Sequence, residues 1–159
     1  MSKLAEKFRE QTGAFHYLTA GAESDVYSFL IENNVIAFDD KVLSCFSAGD
    51  GNMNVTLRVI TENNRLILKQ SRPWVAKYPD IPAPVERIDV EGEFITTVRK
   101  EPTLAKFTPV PRGYYARDYV LLMEDVTDAE DLSYCYAEDR TIPNAVLRDM
   151  LAYLSALHR

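Results

Sequence analysis

Residues 46–59, with the sequence FSAGDGNMNVTLRV, decide the fold predicted for the first half of this chain. Both ends of the segment alternate between apolar and polar residues, as β-strands do, whereas its centre is a run of small and polar residues. Gly49 and Gly51 permit a positive φ and a close approach of the backbone to a ligand, and the neighbouring asparagines tolerate turns. Such a turn can present backbone N–H groups to phosphate oxygens, but on its own the motif is more typical of an ordinary wide hairpin turn.

The composition of the chain narrows the classes of protein to which it can belong. Its 159 residues, 47% of them apolar, are enough for one ordinary domain with a packed core. The net charge is −6 and Lys and Arg form no block, which argues against a nucleic-acid or membrane-surface partner. No apolar run approaches the roughly 20 residues of a membrane span, and residues 1–13 lack the apolar segment of a secretory signal. We therefore expect a cytoplasmic protein that binds neither nucleic acid nor membrane.

Apolar periodicity predicts an α+β fold built on an antiparallel sheet of about five strands. Strands are predicted for three consecutive segments and for a later segment with a candidate partner: residues 41–49, 54–60 and 65–70, then 117–126 with 112–116. Helices are predicted for residues 3–11, 19–34, 82–100 and 143–159, the second of them capped by Thr19. Residues 71–84 contain four of the eight prolines and are predicted to form an ordered loop or lid.

Two charged residues in otherwise apolar surroundings are the candidates for chemistry. Lys69 ends the apolar run of a predicted strand, where a lysine can point its ammonium group into a cleft and neutralise phosphate charge. At 100° per residue, Glu91 lies on the same arc of the third predicted helix as Ile88, Ile95 and Val98. An unpaired carboxylate on that arc would be costly, so we expect Glu91 to pair with Lys69. The alternative is an edge position where Glu91 reaches water.

A strand lysine paired with a helix glutamate beside a glycine-rich hairpin is the arrangement of the small lobe in protein-kinase-like phosphotransferases. Four segments of this chain, in order and in spacing, resemble the N-terminal lobe of the methylthioribose kinases, a family of the aminoglycoside and choline kinase group. These segments are GDGNMNVTLRV at 49–59, LILKQSRPWV at 66–75, RIDVEGE at 87–93 and LLMEDV at 121–126. The resemblance covers residues 20–159, and the run Gly-Asp-Gly-Asn-x-Asn followed by Lys-Gln is distinctive within that group.

The resemblance implies an ATP-dependent kinase that phosphorylates a sugar hydroxyl, that of 5-methylthioribose in methionine salvage, with Mg²⁺ as the metal. The residues that it assigns to the turn over the ATP phosphates are Gly49, Asp50, Gly51, Asn52, Met53 and Asn54. Lys69 would contact the α- and β-phosphates, and Glu91 would orient it. The linker between the lobes would be residues 123–126, and the residues assigned there to adenine binding are Met123, Glu124 and Val126. Val59 and Ile67 are further candidates for the adenine pocket.

The resemblance also divides the chain into an N-terminal helical segment (1–35), an ATP-binding lobe with its linker (36–126) and the beginning of a C-terminal lobe (127–159). The family's catalytic loop, similar to His-Gly-Asp-x-His-x-x-Asn, is not found in this sequence, whose only histidines are His16 and His158. We therefore expect the chain to be the N-terminal part of a larger kinase, inactive by itself, with its catalytic residues and Mg²⁺ ligands in the C-terminal lobe.

The last predicted helix keeps an alternative open. The apolar residues on one side of it form a stripe that needs a covering surface: Val146, Met150, Leu154 and Leu157. In the kinase interpretation this helix begins the second lobe. In the alternative, the chain is a non-catalytic nucleotide-binding or protein-interaction module of kinase-like fold, and the stripe contacts a partner or a second copy in a homodimer. A third interpretation is an α+β domain of unrelated role, with Lys69 at a solvated edge.

Overall fold

The computed structural model of the chain describes residues 2–49, 51–127, 132–136 and 141–158. Its strands are β1 (Val42–Ser47), β2 (Val55–Thr61), β3 (Arg65–Gln70), β4 (Trp74–Val75), β5 (Tyr78–Pro82), β6 (Pro111–Tyr115) and β7 (Val120–Glu124). Its helices are α1 (Lys3–Thr12), α2 (Glu23–Glu32), α3 (Arg87–Val98), α4 (Pro102–Ala105) and α5 (Asn144–Leu157). Short 3₁₀ turns lie at Ala116–Asp118 and Leu132–Tyr136.

Five of the strands form one sheet in the order β1-β2-β3-β7-β6, and every neighbouring pair is antiparallel. This arrangement confirms the predicted α+β class and the antiparallel sheet of about five strands. It also confirms that residues 112–116 pair with the strand that follows them. The central strand of the sheet is β3, which carries Lys69.

One face of this sheet packs against α2. The helix contributes Val26, Phe29 and Leu30, none of which exposes any surface. The sheet contributes alternate residues of its central strands, which are Leu57, Val59, Leu66, Leu68, Val120 and Leu122. This alternation follows from the two-residue period of a strand, and burial of each large apolar side chain is worth about 1.5–3 kcal/mol. The packing against α2 leaves the opposite face of the sheet for Lys69.

The proline-rich segment 71–84 is not the loop that its composition predicts. Within it, β4 and β5 pair as a separate two-stranded antiparallel sheet, with Trp74 opposite Pro82. Prolines are tolerated here because both members of a two-stranded sheet are edge strands, in which a missing N–H need not break a ladder bond. Trp74, only 2% exposed, anchors the hairpin in a small core with Phe8 and Ala14.

Helix α2 begins later than predicted, and Thr19 does not cap it. The N-cap residue is Ala22, which makes no side-chain capping bond. Gly21 has a φ of 74°, in the left-handed region, and this conformation separates Thr19 from the helix. The Gly21 N–H donates to the Cys45 carbonyl at 2.8 Å, so the turn before α2 is attached to β1.

The chain divides into two compact units, the first formed by residues 1–93 and 110–125 and the second by residues 94–109 and 126–159. One boundary falls within α3, and another falls between residues 125 and 126, inside the segment predicted as the linker. The first unit contains the five-stranded sheet. The second contains α4 and α5, which contact each other. The three-part division expected from the resemblance stays a prediction.

Helix α5 has 14 residues, and none of its described side chains is buried. From the predicted apolar stripe, Met150, Leu154 and Leu157 are exposed, and within the second unit the Tyr153 ring meets the Phe107 ring edge-to-face at 6.1 Å. Among the described residues, no helix is both long enough and apolar enough to cross a membrane.

Candidate functional site

The register of the sheet places the predicted site on the face opposite α2. Lys69 pairs with Thr56 on β2 and with Leu121 on β7, and directly paired residues of antiparallel strands share a face. Ile67 and Met123, which pair with each other, lie two residues away on the same face. We call this surface the Lys69 face.

Lys69 and Glu91 form the ion pair expected from the sequence. The Lys69 Nζ lies 2.5 Å from Glu91 Oε1, and the two side chains are 29% and 28% exposed. A pair that is largely shielded from water attracts more strongly than an exposed surface pair, which is worth about 0–1 kcal/mol. An ammonium group has three N–H donors, and this bond uses one of them. Lys69 can therefore contact an anionic ligand while Glu91 holds it in position.

Glu91 reaches the sheet because it lies on the packed side of α3. Ile88, almost one turn earlier, is completely buried, whereas the adjacent Val90 is 67% exposed. The helix backbone comes close to β7 at the next residue, Gly92, where an added Cβ would lie 3.7 Å from Leu121 Cδ1. The helical spacing thus predicted the orientation of the carboxylate correctly.

The glycine-rich turn contacts this ion pair through Asn54. The Asn54 Nδ2 donates to Glu91 Oε2 at 3.4 Å, so each carboxylate oxygen of Glu91 has a partner. At the other end of the turn, Gly49 has a φ of 91°, which residues with a side chain rarely adopt, while Gly51 does not have a positive φ. Asp50, also assigned to the turn, lies outside the described residues.

Arg87 connects the turn to α3, a role that was not predicted. Its guanidinium donates to Asn54 Oδ1 at 2.9 Å, to the Met53 carbonyl at 2.6 Å and to the Arg72 carbonyl at 2.7 Å. Burial lowers the pKa of Arg87, and the charge of Glu91 opposes this shift. Arg87 is the first residue of α3, where the positive end of the helix dipole disfavours a cation. Its position there indicates that acceptors outside the helix hold its guanidinium.

The β4–β5 hairpin also holds the glycine-rich turn. The Ala76 N–H donates to the Met53 carbonyl at 3.2 Å, and the Lys77 N–H donates to the Asn52 carbonyl at 3.1 Å. An open depression of about 330 Å³ adjoins the turn, and its lining includes both glycines. The second half of the turn is therefore restrained, while its glycines border space that a ligand can enter.

The predicted linker begins on the Lys69 face. Met123, opposite Ile67, is 4% exposed. Glu124 ends β7, and its N–H donates to the Val110 carbonyl at 2.9 Å while its carboxylate accepts the Val110 N–H at 2.7 Å. Val126 is 50% exposed and belongs to the second unit. Of the first two predicted linker residues, Met123 therefore lies on the Lys69 face, whereas Glu124 pairs with Leu66, which faces α2.

Asp125 is a second residue whose role was not predicted. Its side chain exposes no surface, and Arg58 Nε lies 3.0 Å from each of its carboxylate oxygens. Arg65 Nε lies 3.5 Å from Oδ2. Both arginines are on the Lys69 face, because Arg58 pairs with Ile67 and Arg65 precedes Ile67 by two residues. Arg58 and Asp125 are 67 residues apart, so no local sequence pattern reveals the contact.

Val59 does not lie on the predicted adenine side. It pairs with Leu66 and is completely buried in the core against α2. The residue that pairs with Ile67 is Arg58, and adjacent residues of a strand point to opposite faces, so Val59 must face away. The prediction was therefore wrong for Val59, while Ile67 does share the face with Lys69.

Comparisons with known proteins gave no match, so the proposed function depends on the geometry of the site. No protein-family model matches the chain, and no curated protein matches it. Within the described ranges, no group of three or more His, Cys, Asp and Glu side chains is placed to hold a metal ion. The resemblance to the methylthioribose kinases stays a prediction.

Proposed function

We propose that this chain is the ATP-binding lobe of a small-molecule kinase, with a fold like the N-terminal lobe of protein kinases. The observation that supports this most is the Lys69–Glu91 pair, 2.5 Å apart, with Asn54 of the glycine-rich turn bound to the same carboxylate. Phosphoryl transfer from ATP depends on positioning and charge stabilisation, and a lysine held in this way supplies a fixed cation for the phosphates. The phosphate acceptor in this proposal is a sugar hydroxyl, such as that of 5-methylthioribose.

Each group in the proposed site acts through charge or shape. Lys69 would neutralise the α- and β-phosphates, and Glu91 would keep its ammonium group from turning toward solvent. The backbone N–H groups of residues 49–54 would cover the phosphates. Ile67 and Met123 would contact the base. No residue of this chain is assigned to Mg²⁺ or to activation of the attacking hydroxyl.

Calorimetric titration of the chain with MgATP tests the proposal. We expect weak but saturable binding, and Lys69→Ala should weaken it about tenfold or more, because a hydrogen bond to a charged group is worth about 1.5–3 kcal/mol. Lys41→Ala is the matched control, since Lys41 pairs with Glu62 at 3.9 Å but is 76% exposed. The control should bind as the wild type does. Absence of binding, or equal affinity in the two variants, would contradict the proposal.

A non-catalytic interaction module is the second candidate, and the exposed apolar residues of α5 favour it. Leu147, Leu151 and Leu154 are 43%, 59% and 46% exposed. In this case the chain would self-associate or bind a partner through α5 without binding ATP, and Leu151→Glu would abolish the association in analytical ultracentrifugation. A coding sequence that continues beyond residue 159 with a Gly-Asp-x-His motif would instead favour the kinase.

A further inference from the structure

The contact between Glu124 and Val110 departs from an ordinary antiparallel pair. In a hydrogen-bonded pair the two residues exchange both of their N–H···O=C bonds. Here the Glu124 N–H donates to the Val110 carbonyl at 2.9 Å, but the Val110 N–H donates to the Glu124 carboxylate at 2.7 Å. The side chain of Glu124 has replaced its own backbone carbonyl as the acceptor.

Because of the sequence around Val110, this replacement leaves the Glu124 carbonyl without its usual donor. Pro109 and Pro111 have no N–H, so Val110 supplies the only backbone donor of residues 109–111. One donor therefore has two candidate acceptors on Glu124, and the charged carboxylate forms the stronger bond. The Glu124 carbonyl thereby loses the donor that strand pairing would ordinarily supply.

The opposite neighbour, β3, does not supply a donor in its place. The Ser71 N–H donates to the Tyr119 carbonyl, and hydrogen-bonded pairs recur at every second residue of an antiparallel ladder. The hydrogen-bonded pairs between β3 and β7 are then Lys69–Leu121 and Ile67–Met123. Leu66–Glu124 is consequently a pair of the other kind, and the backbone N–H and C=O of Glu124 point away from β3.

We propose that the Glu124 carboxylate is a positioning group for a nucleobase. By holding the Val110 N–H, it leaves the Glu124 carbonyl oxygen to accept a hydrogen bond from the 6-amino group of adenine. A carbonyl acceptor at this position, next to a carboxylate, disfavours guanine, which carries an oxygen acceptor at the same ring position. The inference rests on the proposed function, because it requires a nucleotide base at the beginning of the linker.

Titrations of the chain with ATP and with purine riboside triphosphate test this assignment. The second nucleotide has a hydrogen in place of the 6-amino group, so the wild type should prefer ATP by roughly three- to tenfold, the contribution of one hydrogen bond. Glu124→Ala, and Glu124→Asp with its shorter carboxylate, should lose this preference and bind the analogue unchanged. Glu124→Gln, whose amide oxygen can still accept the Val110 N–H, should retain it.

Glu101→Ala is the matched control. The Glu101 carboxylate accepts the Leu104 N–H at 2.8 Å at the start of α4, a bond of the same kind in the second unit, and its loss should leave the preference intact. If Glu124→Ala does not fold, Glu124→Asp provides the same test. Four results would overturn this inference without overturning the proposed function. The preference for ATP could be retained in Glu124→Asp, or lost in Glu124→Gln. Glu124→Ala could weaken the binding of both nucleotides equally, or the wild type could show no preference. Failure of the wild type to bind either nucleotide would overturn the proposed function as well.

Discussion

The two faces of the five-stranded sheet use alternate residues of the same strands for different purposes. Toward α2, β3 presents Leu66 and Leu68, which are 6% and 0% exposed. On the Lys69 face, the same strand presents Arg65, Ile67 and Lys69, and both cations pair with carboxylates from other elements. The comparison shows that the α2 face supplies stability through apolar burial, whereas the Lys69 face holds charges that are partly exposed and can contact a ligand.

Arg72, just beyond β3, is a cation with a structural role and contrasts with Lys69. It is 1% exposed, and its guanidinium lies 4.6 Å from the Phe8 ring centre and 3.8 Å from that of Tyr17. It donates to the Leu18 carbonyl at 2.7 Å and to Gln70 Oε1. Burial lowers its pKa to about 10. A cation enclosed in this way ties the N-terminal segment to the sheet and has no access to a ligand.

The largest expected difference between the faces is in catalysis. In a polypeptide that also carries a catalytic loop, Lys69→Ala should lower turnover by about 100-fold or more, because it removes the fixed charge on the phosphates. Its free energy of unfolding should fall by about 1–3 kcal/mol, because Glu91 loses its charged partner in a site that is largely shielded from water. Steady-state kinetics and urea denaturation measure the two effects. Near-normal turnover would remove Lys69 from the proposed site.

The opposite face should respond in stability. Leu68→Ala should lower the free energy of unfolding by about 2–5 kcal/mol, because it leaves a cavity in the core against α2. Leu43→Ala, at a position that is 59% exposed on β1, is the control and should change it by less than about 0.5 kcal/mol. Urea denaturation of both variants gives the comparison. A loss of less than 1 kcal/mol at Leu68, on the order of a surface substitution, would show that this face is not the stabilising one.

Asp125→Asn tests whether a charge pair on the Lys69 face also contributes to stability. We expect a loss of about 1–3 kcal/mol, because the amide leaves Arg58 without its buried charged partner. The control is Glu62→Gln, which breaks an exposed pair with Lys41 and should cost about 0.5 kcal/mol or less. Equal effects in the two variants, measured by thermal denaturation, would show that burial of the Asp125 carboxylate is of no consequence.

The smallest expected effect is a pH dependence on the α2 face. Burial, together with the charge of Glu23, raises the pKa of the Cys45 thiol from 9.0 to about 11. The unfolded chain therefore loses this proton at lower pH than the folded chain, so the contribution is complete below pH 9 and is lost as the pH rises through 11. Between pH 8 and 10 the wild type should lose about 1 kcal/mol more stability than Cys45→Ala. Parallel stability curves for the two proteins would show that the thiol does not contribute.

Much of this fold could be predicted because its signals are local. β2 and β3 were found from a two-residue alternation, and the orientation of Glu91 followed from the 100° spacing of a helix. The pairing with Lys69 could also be predicted, since a carboxylate on a buried arc needs a cation. The β4–β5 hairpin could not, because its prolines indicate a loop, and only the edge position of both strands accommodates them.

The contacts missed in the candidate site share a long separation along the chain. Arg58 meets Asp125 across 67 residues, and Arg87 meets Asn54 across 33. Val59 was misplaced because the apolar character of a strand residue does not state which side of the sheet it faces. The bond from the Val110 N–H to the Glu124 carboxylate had one indication in the sequence, since Pro109 and Pro111 leave Val110 as the only donor between them. This indication could be interpreted only once β7 was known to lie beside Val110.

The sequence by itself determined the strands of the five-stranded sheet, the glycine-rich turn and the apolar sides of the long helices, because these depend on residues close by in the chain. Only the tertiary structure decided which strand residues share the Lys69 face and which partners the charged groups take. The physical reason is register: a shift of one residue between paired strands would exchange every side chain between the two faces, and that pairing is settled by burial against α2.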